Sequence, residues 1–66
     1  MTIMTRPGAI LKIKFLQNSS ASNYFETQER LTLQNVLIEL ENEIDNPSED
    51  QINKIQKIFQ KYEKYL

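Results

Sequence analysis

Leu11, Ile13 and Phe15 alternate with Lys12 and Lys14. That period of two predicts a β-strand with one apolar and one basic face, flanked by Ile10 and Leu16. Upstream, Arg6-Pro7-Gly8-Ala9 has Pro second and Gly third, the order a type II turn favours. Residues 1–5 are then expected to fold back as a short partner strand, so that 1–16 forms a strand region. A lone strand needs a mate, from this hairpin or from another chain. The Ser/Asn-rich run 17–23 reads as a polar linker.

Beyond the linker the period changes. At about 100° per residue, Leu33, Val36, Leu37, Leu40 and Ile44 fall in one arc, which predicts a helix over 24–46. Asn23 followed by Glu26 resembles a helix N-cap with its capping carboxylate. Pro47 forces a break, because it disfavours helix at the residue before it and has no N–H to donate. Ser48 and Gln51 form a capping box that opens a second helix over 48–65. Glu49 and Asp50 sit at its start and lysines near its end, both favourable to the helix dipole. Its apolar stripe is Ile52, Ile55, Phe59, Tyr62 and Leu66, widened by Ile58 and Tyr65. Both stripes have the spacing of a helix–helix seam, and the short link makes the two helices antiparallel neighbours. The expected fold is α+β and mostly α: an N-terminal β-strand or short β-hairpin followed by an antiparallel αα-hairpin, in one small domain over 1–66.

The hairpin leaves one apolar line over. Leu31 and Ile38 are seven residues apart and lie roughly 150° from the Leu33–Leu40 stripe. Either the chain's own strand face, Leu11-Ile13-Phe15, covers them, or a second molecule does. Tyr24 and Phe25, at the mouth of the first helix, read equally as core edge or as interface anchors, as does Tyr65. Tyr62 reads as core. Lys54, Lys57, Lys61 and Lys64 recur on the side of the second helix away from its stripe. That is the pattern of a solvated face, or of a basic strip that Lys12 and Lys14 extend. Of the four, only Lys54, nearer the seam, is placed to pair its charge with Glu43.

Composition narrows the chemistry. The chain has 66 residues, no Cys and no His. Disulfides, thiolate or imidazole metal sites and Ser-His or Cys-His pairs are therefore excluded. The only glycine is Gly8, so there is no glycine-rich phosphate loop. Glu39 with Glu43, and Glu41 with Asp45, are spaced for a shared face, but on an exposed acidic turn such pairs read as solvating charge. The loop from Asp45 fails as a calcium loop, with Asp50 where Gly belongs and Gln56 where Glu belongs. No catalytic, cofactor or metal residues are expected, and no enzyme. The net charge of −1 conceals a basic start (Arg6, Lys12, Lys14), a strongly acidic middle and a basic end. No stretch has the length and apolarity of a signal peptide core or a membrane span, and the chain reads as cytoplasmic.

Size supplies the remaining argument. Below roughly 70–80 residues one core rarely contributes more than about 3–5 kcal/mol, and association is a common remedy. The expected function is therefore a non-catalytic protein–protein interaction module: an inhibitor, adaptor or regulatory subunit, working as a homodimer. Small proteins of phages and mobile elements are often of this kind. Its partner-binding residues would be Leu31, Ile38, Tyr24, Phe25 and Tyr65.

The order strand, helix, helix over 9–66 also resembles the ribbon-helix-helix family at the level of organisation. That resemblance implies a DNA-binding regulator or antitoxin, with two chains pairing strands and Lys12 and Lys14 reading the major groove. No family motif is matched. The first helix and the link to the second are both longer than in that family, the turn lacks its glycine, and the acidic middle opposes DNA.

Overall fold

A computed structural model describes residues 4–66. Among them there is no strand. Helix α1 is Arg6–Asn18, α2 is Thr27–Asn42 and α3 is Glu49–Tyr62, with 3₁₀ turns at Ser20–Tyr24 and Glu63–Tyr65. The architecture is all-α, and the expected α+β class is corrected. The part of the expected hairpin on residues 1–3 lies outside the described residues.

The segment read as a strand is α1. Thr5 is its N-cap, and the Thr5 hydroxyl accepts the Gly8 N–H at 3.2 Å. Pro7 sits in the first turn, where its missing N–H costs nothing and its fixed φ suits a helix. Among the described residues none has a positive φ, so there is no type II turn over Arg6–Ala9. Gly8 is useful for another reason: a Cβ there would stand 3.0 Å from the Thr5 hydroxyl and crowd the cap.

The alternation of Leu11, Ile13 and Phe15 conceals a second period. Ala9, Ile13 and Leu16, spaced by four and three, are fully buried, while Leu11 and Phe15 are 68% and 54% exposed. These outer residues fall at about 160–200° from Ile13 on a helix, which puts them opposite the core. An apolar residue on each side of the helix mimics the alternation of a strand. The expected linker is also structured. α1 continues through Asn18, then the Ser19 and Ser22 hydroxyls donate to the Leu16 and Ser19 carbonyls, each at 2.7 Å. Ala21 is fully buried in the 3₁₀ turn they tighten.

The two later helices are the expected hairpin with shorter bounds. The cap of α2 is Glu26, not Asn23, and the Glu26 N–H donates to Glu29 Oε1 at 2.8 Å. The helix ends at Asn42, which leaves Ile44 outside the arc assigned to it and 95% exposed. The box at α3 is as read: the Gln51 N–H donates to Ser48 Oγ at 3.2 Å, and the Ser48 N–H to Gln51 Oε1 at 2.9 Å.

The helices run up, down and up. Glu29 meets Lys61, and Glu39 meets Gln51 at 3.2 Å, which fixes α2 and α3 as antiparallel. Arg6, at the start of α1, reaches the end of α2, where its Nε donates to the Leu40 carbonyl at 2.6 Å. The core between them is Ala9, Ile13, Leu16, Phe25, Leu33, Val36, Leu40, Ile55, Ile58 and Tyr62, with Met4 and Ala21 at its ends. A fully buried Leu or Ile here stabilises the fold by about 1.5–3 kcal/mol. No buried side-chain polar atom among the described residues lacks a hydrogen-bond partner.

Candidate functional site

Three of the five residues expected at an interface are brought together at one end of the bundle. The 3₁₀ turn before α2 carries Tyr24, and the 3₁₀ turn after α3 carries Tyr65. Their rings stack at 4.7 Å and 20°. Phe25 meets Tyr62 edge-on at 4.9 Å, and Tyr62 lies 6.2 Å from Tyr65. Phe25 and Tyr62 are buried and belong to the core, while Tyr24 and Tyr65 remain exposed. Of the two readings of Phe25, core edge or interface anchor, its burial fits the first.

Next to the stacked pair lies a connected polar group of Glu29, Tyr62 and Lys61. The Tyr62 hydroxyl donates to Glu29 Oε1 and lies 3.1 Å from the Tyr24 carbonyl oxygen. Lys61 Nζ is 2.9 Å from Glu29 Oε2 and 3.8 Å from Glu26 Oε1. Burial of the Glu29 carboxyl pushes its pKa up. The Tyr62 hydroxyl, the Glu26 N–H and Lys61 outweigh that and hold it below the ordinary carboxylate value. The hydrogen bond to Glu29 in turn raises the pKa of Lys61 and of Tyr62. No sequence signal had singled out Glu29. Its spacing from Glu26 at the helix mouth was the one available clue, a carboxylate at the third helical position.

Leu31 and Ile38 are elsewhere, on the outer face of α2, 47% and 48% exposed. Of the two covers expected for them, the chain's own strand face is ruled out, because that segment is helix α1. Leu11 and Phe15 form a second outer pair, on α1, that sequence reasoning missed. Their four-residue spacing opposite Ala9, Ile13 and Leu16 was the signal.

The six lysines do not form one strip. Lys12 Nζ sits 4.2 Å over the Phe59 ring, in the groove between α1 and α3. Lys14, two residues on, is turned about 200° away on the helix and is exposed. On a strand the two would have shared a face, and the ribbon-helix-helix resemblance loses that basis with the strand. Lys54, Lys57 and Lys61 line an open groove of about 480 Å³ between α2 and α3, together with Glu26, Glu29 and Ile58. Lys54 pairs with Asp50 at 3.0 Å rather than with Glu43. Lys64 lies 5.3 Å over the Tyr65 ring. Carboxylates pair with Lys54 and Lys61 of the groove, and each such exposed pair contributes little.

Among the described residues no group of three or more acidic side chains could hold a metal, and no helix is long and apolar enough to cross a membrane. Neither protein-family models nor curated proteins nor solved structures show a match to this chain.

Proposed function

We propose that this protein is a non-catalytic protein-binding module of the cytoplasm, a small adaptor, inhibitor or regulatory subunit that works as a homodimer. One observation carries the reading. Leu31 and Ile38 stand half exposed on a helix whose opposite face, Leu33, Val36 and Leu40, already completes the core. Burying them contributes nothing to the isolated chain, and exposing them favours association. The lack of Cys and His supports a binding role over a catalytic one.

The test compares capture by the wild-type chain and by a Leu31→Gln/Ile38→Gln variant, with helicity checked by circular dichroism. A protein bound by the first and lost from the folded second supports the reading. If nothing bound by the first, a second copy of the chain included, is lost from the folded second, the reading is overturned.

A further inference from the structure

We propose that the occupant of the outer α2 face is a second copy of this chain, docked antiparallel about a two-fold axis that passes between Gln34 and Asn35. The proposal rests on the interaction-module reading and names the partner of its main surface.

The outer face of α2 is self-complementary under that axis. Leu31 and Ile38 are equidistant from the gap between 34 and 35, so Leu31 of one copy faces Ile38 of the other twice over. Along the same face lie Thr27, Gln34, Asn35 and Asn42, all polar and all uncharged. At about 100° per residue these six occupy one arc of roughly 100°. A solvated outer face of this length would ordinarily carry charge, as that of α3 does with Lys54, Lys57 and Lys61. A seam tolerates amides but not unpaired charge. Gln34 and Asn35 fall next to the axis, and an amide carries both a donor and an acceptor, so each can satisfy its own copy.

Charge at the rim agrees. Antiparallel symmetric helices bring the same flank of each copy together. On one flank α2 has Arg30 and Glu41, exposed and placed nearly symmetrically about the axis. The two-fold sets Arg30 of each copy beside Glu41 of the other. Glu41 has no basic group within 4.0 Å of its carboxylate among the described residues. Arg30 spends one guanidinium nitrogen on the Ser22 carbonyl at 2.7 Å and retains other donors. Copies of Arg30 lie roughly 14 Å apart along the helices, and copies of Glu41 roughly 20 Å, beyond the screening length at physiological salt. A parallel pairing would bring opposite flanks together instead, with the Arg30/Glu41 flank of each copy beside Gln28, Thr32 and Glu39 of the other, where there is no base for Glu41. The 16 residues of α2 span about 24 Å, so the contact falls at the small end of specific interfaces and the dimer is reversible.

The absence of cysteine allows a direct test on the full chain. Facing positions of packed helices lie within reach of a disulfide. Asn35→Cys alone is expected to oxidise to a covalent dimer. Thr27→Cys mixed with Asn42→Cys is expected to give the mixed dimer in excess over either self-linked dimer. Light scattering on the wild type should show mass rising with concentration, and Ile38→Glu should hold it at the monomer while circular dichroism stays helical. A monomer at every concentration overturns the proposed dimer and leaves binding to other proteins to the capture experiment. A dimer in which Thr27→Cys links to itself, or in which Phe15→Cys links and Asn35→Cys does not, overturns this docking mode while the interaction-module reading stands.

Discussion

α2 and α3 pack on each other, have similar lengths and share one core, yet they distribute their apolar residues differently. Every apolar residue of α3, from Ile52 to Phe59, is buried or half-buried, and its outer positions are Asn53, Lys54, Lys57, Gln60 and Lys61. α2 buries Leu33, Val36 and Leu40, half-buries Leu37, and leaves Leu31 and Ile38 in solvent. In α3 apolar content equals core content. In α2 it exceeds it by two residues that the fold does not use. A small domain has little stability to spare, so a pair of wasted large side chains on its longest helix calls for an external reason.

The largest effects should test that division directly. Leu33→Ala and Ile55→Ala each remove a fully buried side chain, one from each helix. Each should cost about 2–5 kcal/mol, enough to unfold much of the population at room temperature. Leu31→Ala and Ile38→Ala should stay within about 0.5 kcal/mol for the monomer. Urea unfolding followed by circular dichroism, at concentrations low enough to hold the monomer, separates the two classes. A cost above 2 kcal/mol at Ile38 would show that α2 has no spare face.

The next effect compares the caps. Ser48→Ala removes the acceptor of the Gln51 N–H at the start of α3, and should cost about 1 kcal/mol by the same measurement. Glu26 holds the N-cap of α2 with a longer side chain of a type less suited to capping than Ser, so Glu26→Ala should cost less. An equal or greater loss at Glu26 would place the more important cap on α2.

A smaller and pH-dependent effect lies where the two helices join, at Glu29. Its pKa is lowered in the fold, so its stabilisation is present above the ordinary value of 4.5 and is lost as pH falls through the lowered one. Tyr62 has its pKa raised, so its stabilisation is present below the ordinary 10.0 and is lost as pH rises through the raised one. The melting temperature of the wild type should therefore fall at both limbs. In Glu29→Gln the acid limb should flatten and the alkaline decline should begin earlier, because the hydrogen bond that raises Tyr62 is weakened. An unchanged profile would detach the Glu29–Tyr62–Lys61 group from the stability of the seam. The Lys61 side of this group is open to water, which keeps the effect modest.

The hairpin was legible because its signals are local and agree with one another. Pro47, Ser48 and Gln51 mark the break and the restart, and the stripes of α2 and α3 repeat at helical spacing. Ile44 was misplaced because periodicity cannot say where a helix stops when an acidic run follows it. α1 was not legible as a helix, since Leu11 and Phe15 on its outer side supply the alternation of a strand and Arg6-Pro7-Gly8 mimics a turn. What decided between the periods was tertiary: α2 and α3 present a groove that Ala9, Ile13 and Leu16 fill from one side of a helix. The aromatic end was partly legible. Tyr24, Phe25 and Tyr65 were singled out by type, but their meeting depends on two 3₁₀ turns that the Ser/Asn-rich run and the last residues do not announce. The surplus on α2 was read as uncovered by the hairpin, with the chain's own strand or a second molecule as its cover, and the first of these falls because that strand is a helix.

The same misreading points to the smallest effect and to the last comparison, between the outer faces of α1 and α2. Leu11 and Phe15 are more exposed than Leu31 and Ile38, and α1 sits on the other side of the bundle's core from the α2–α3 groove. They are not symmetric about any residue gap shared with opposite charges, since Lys12 and Lys14 lie between them. If α2 pairs with its own copy, the α1 pair is left facing outward on both subunits and is free for a different protein. Leu11→Gln/Phe15→Gln should then change monomer stability by less than about 0.5 kcal/mol and leave the concentration dependence of the mass unchanged. Its effect should appear only in capture, as loss of a protein that Ile38→Glu still binds in its monomeric form. If instead the α1 variant abolishes the mass increase, the two outer faces exchange roles, and the helix whose periodicity resembles a strand is the one that makes the dimer.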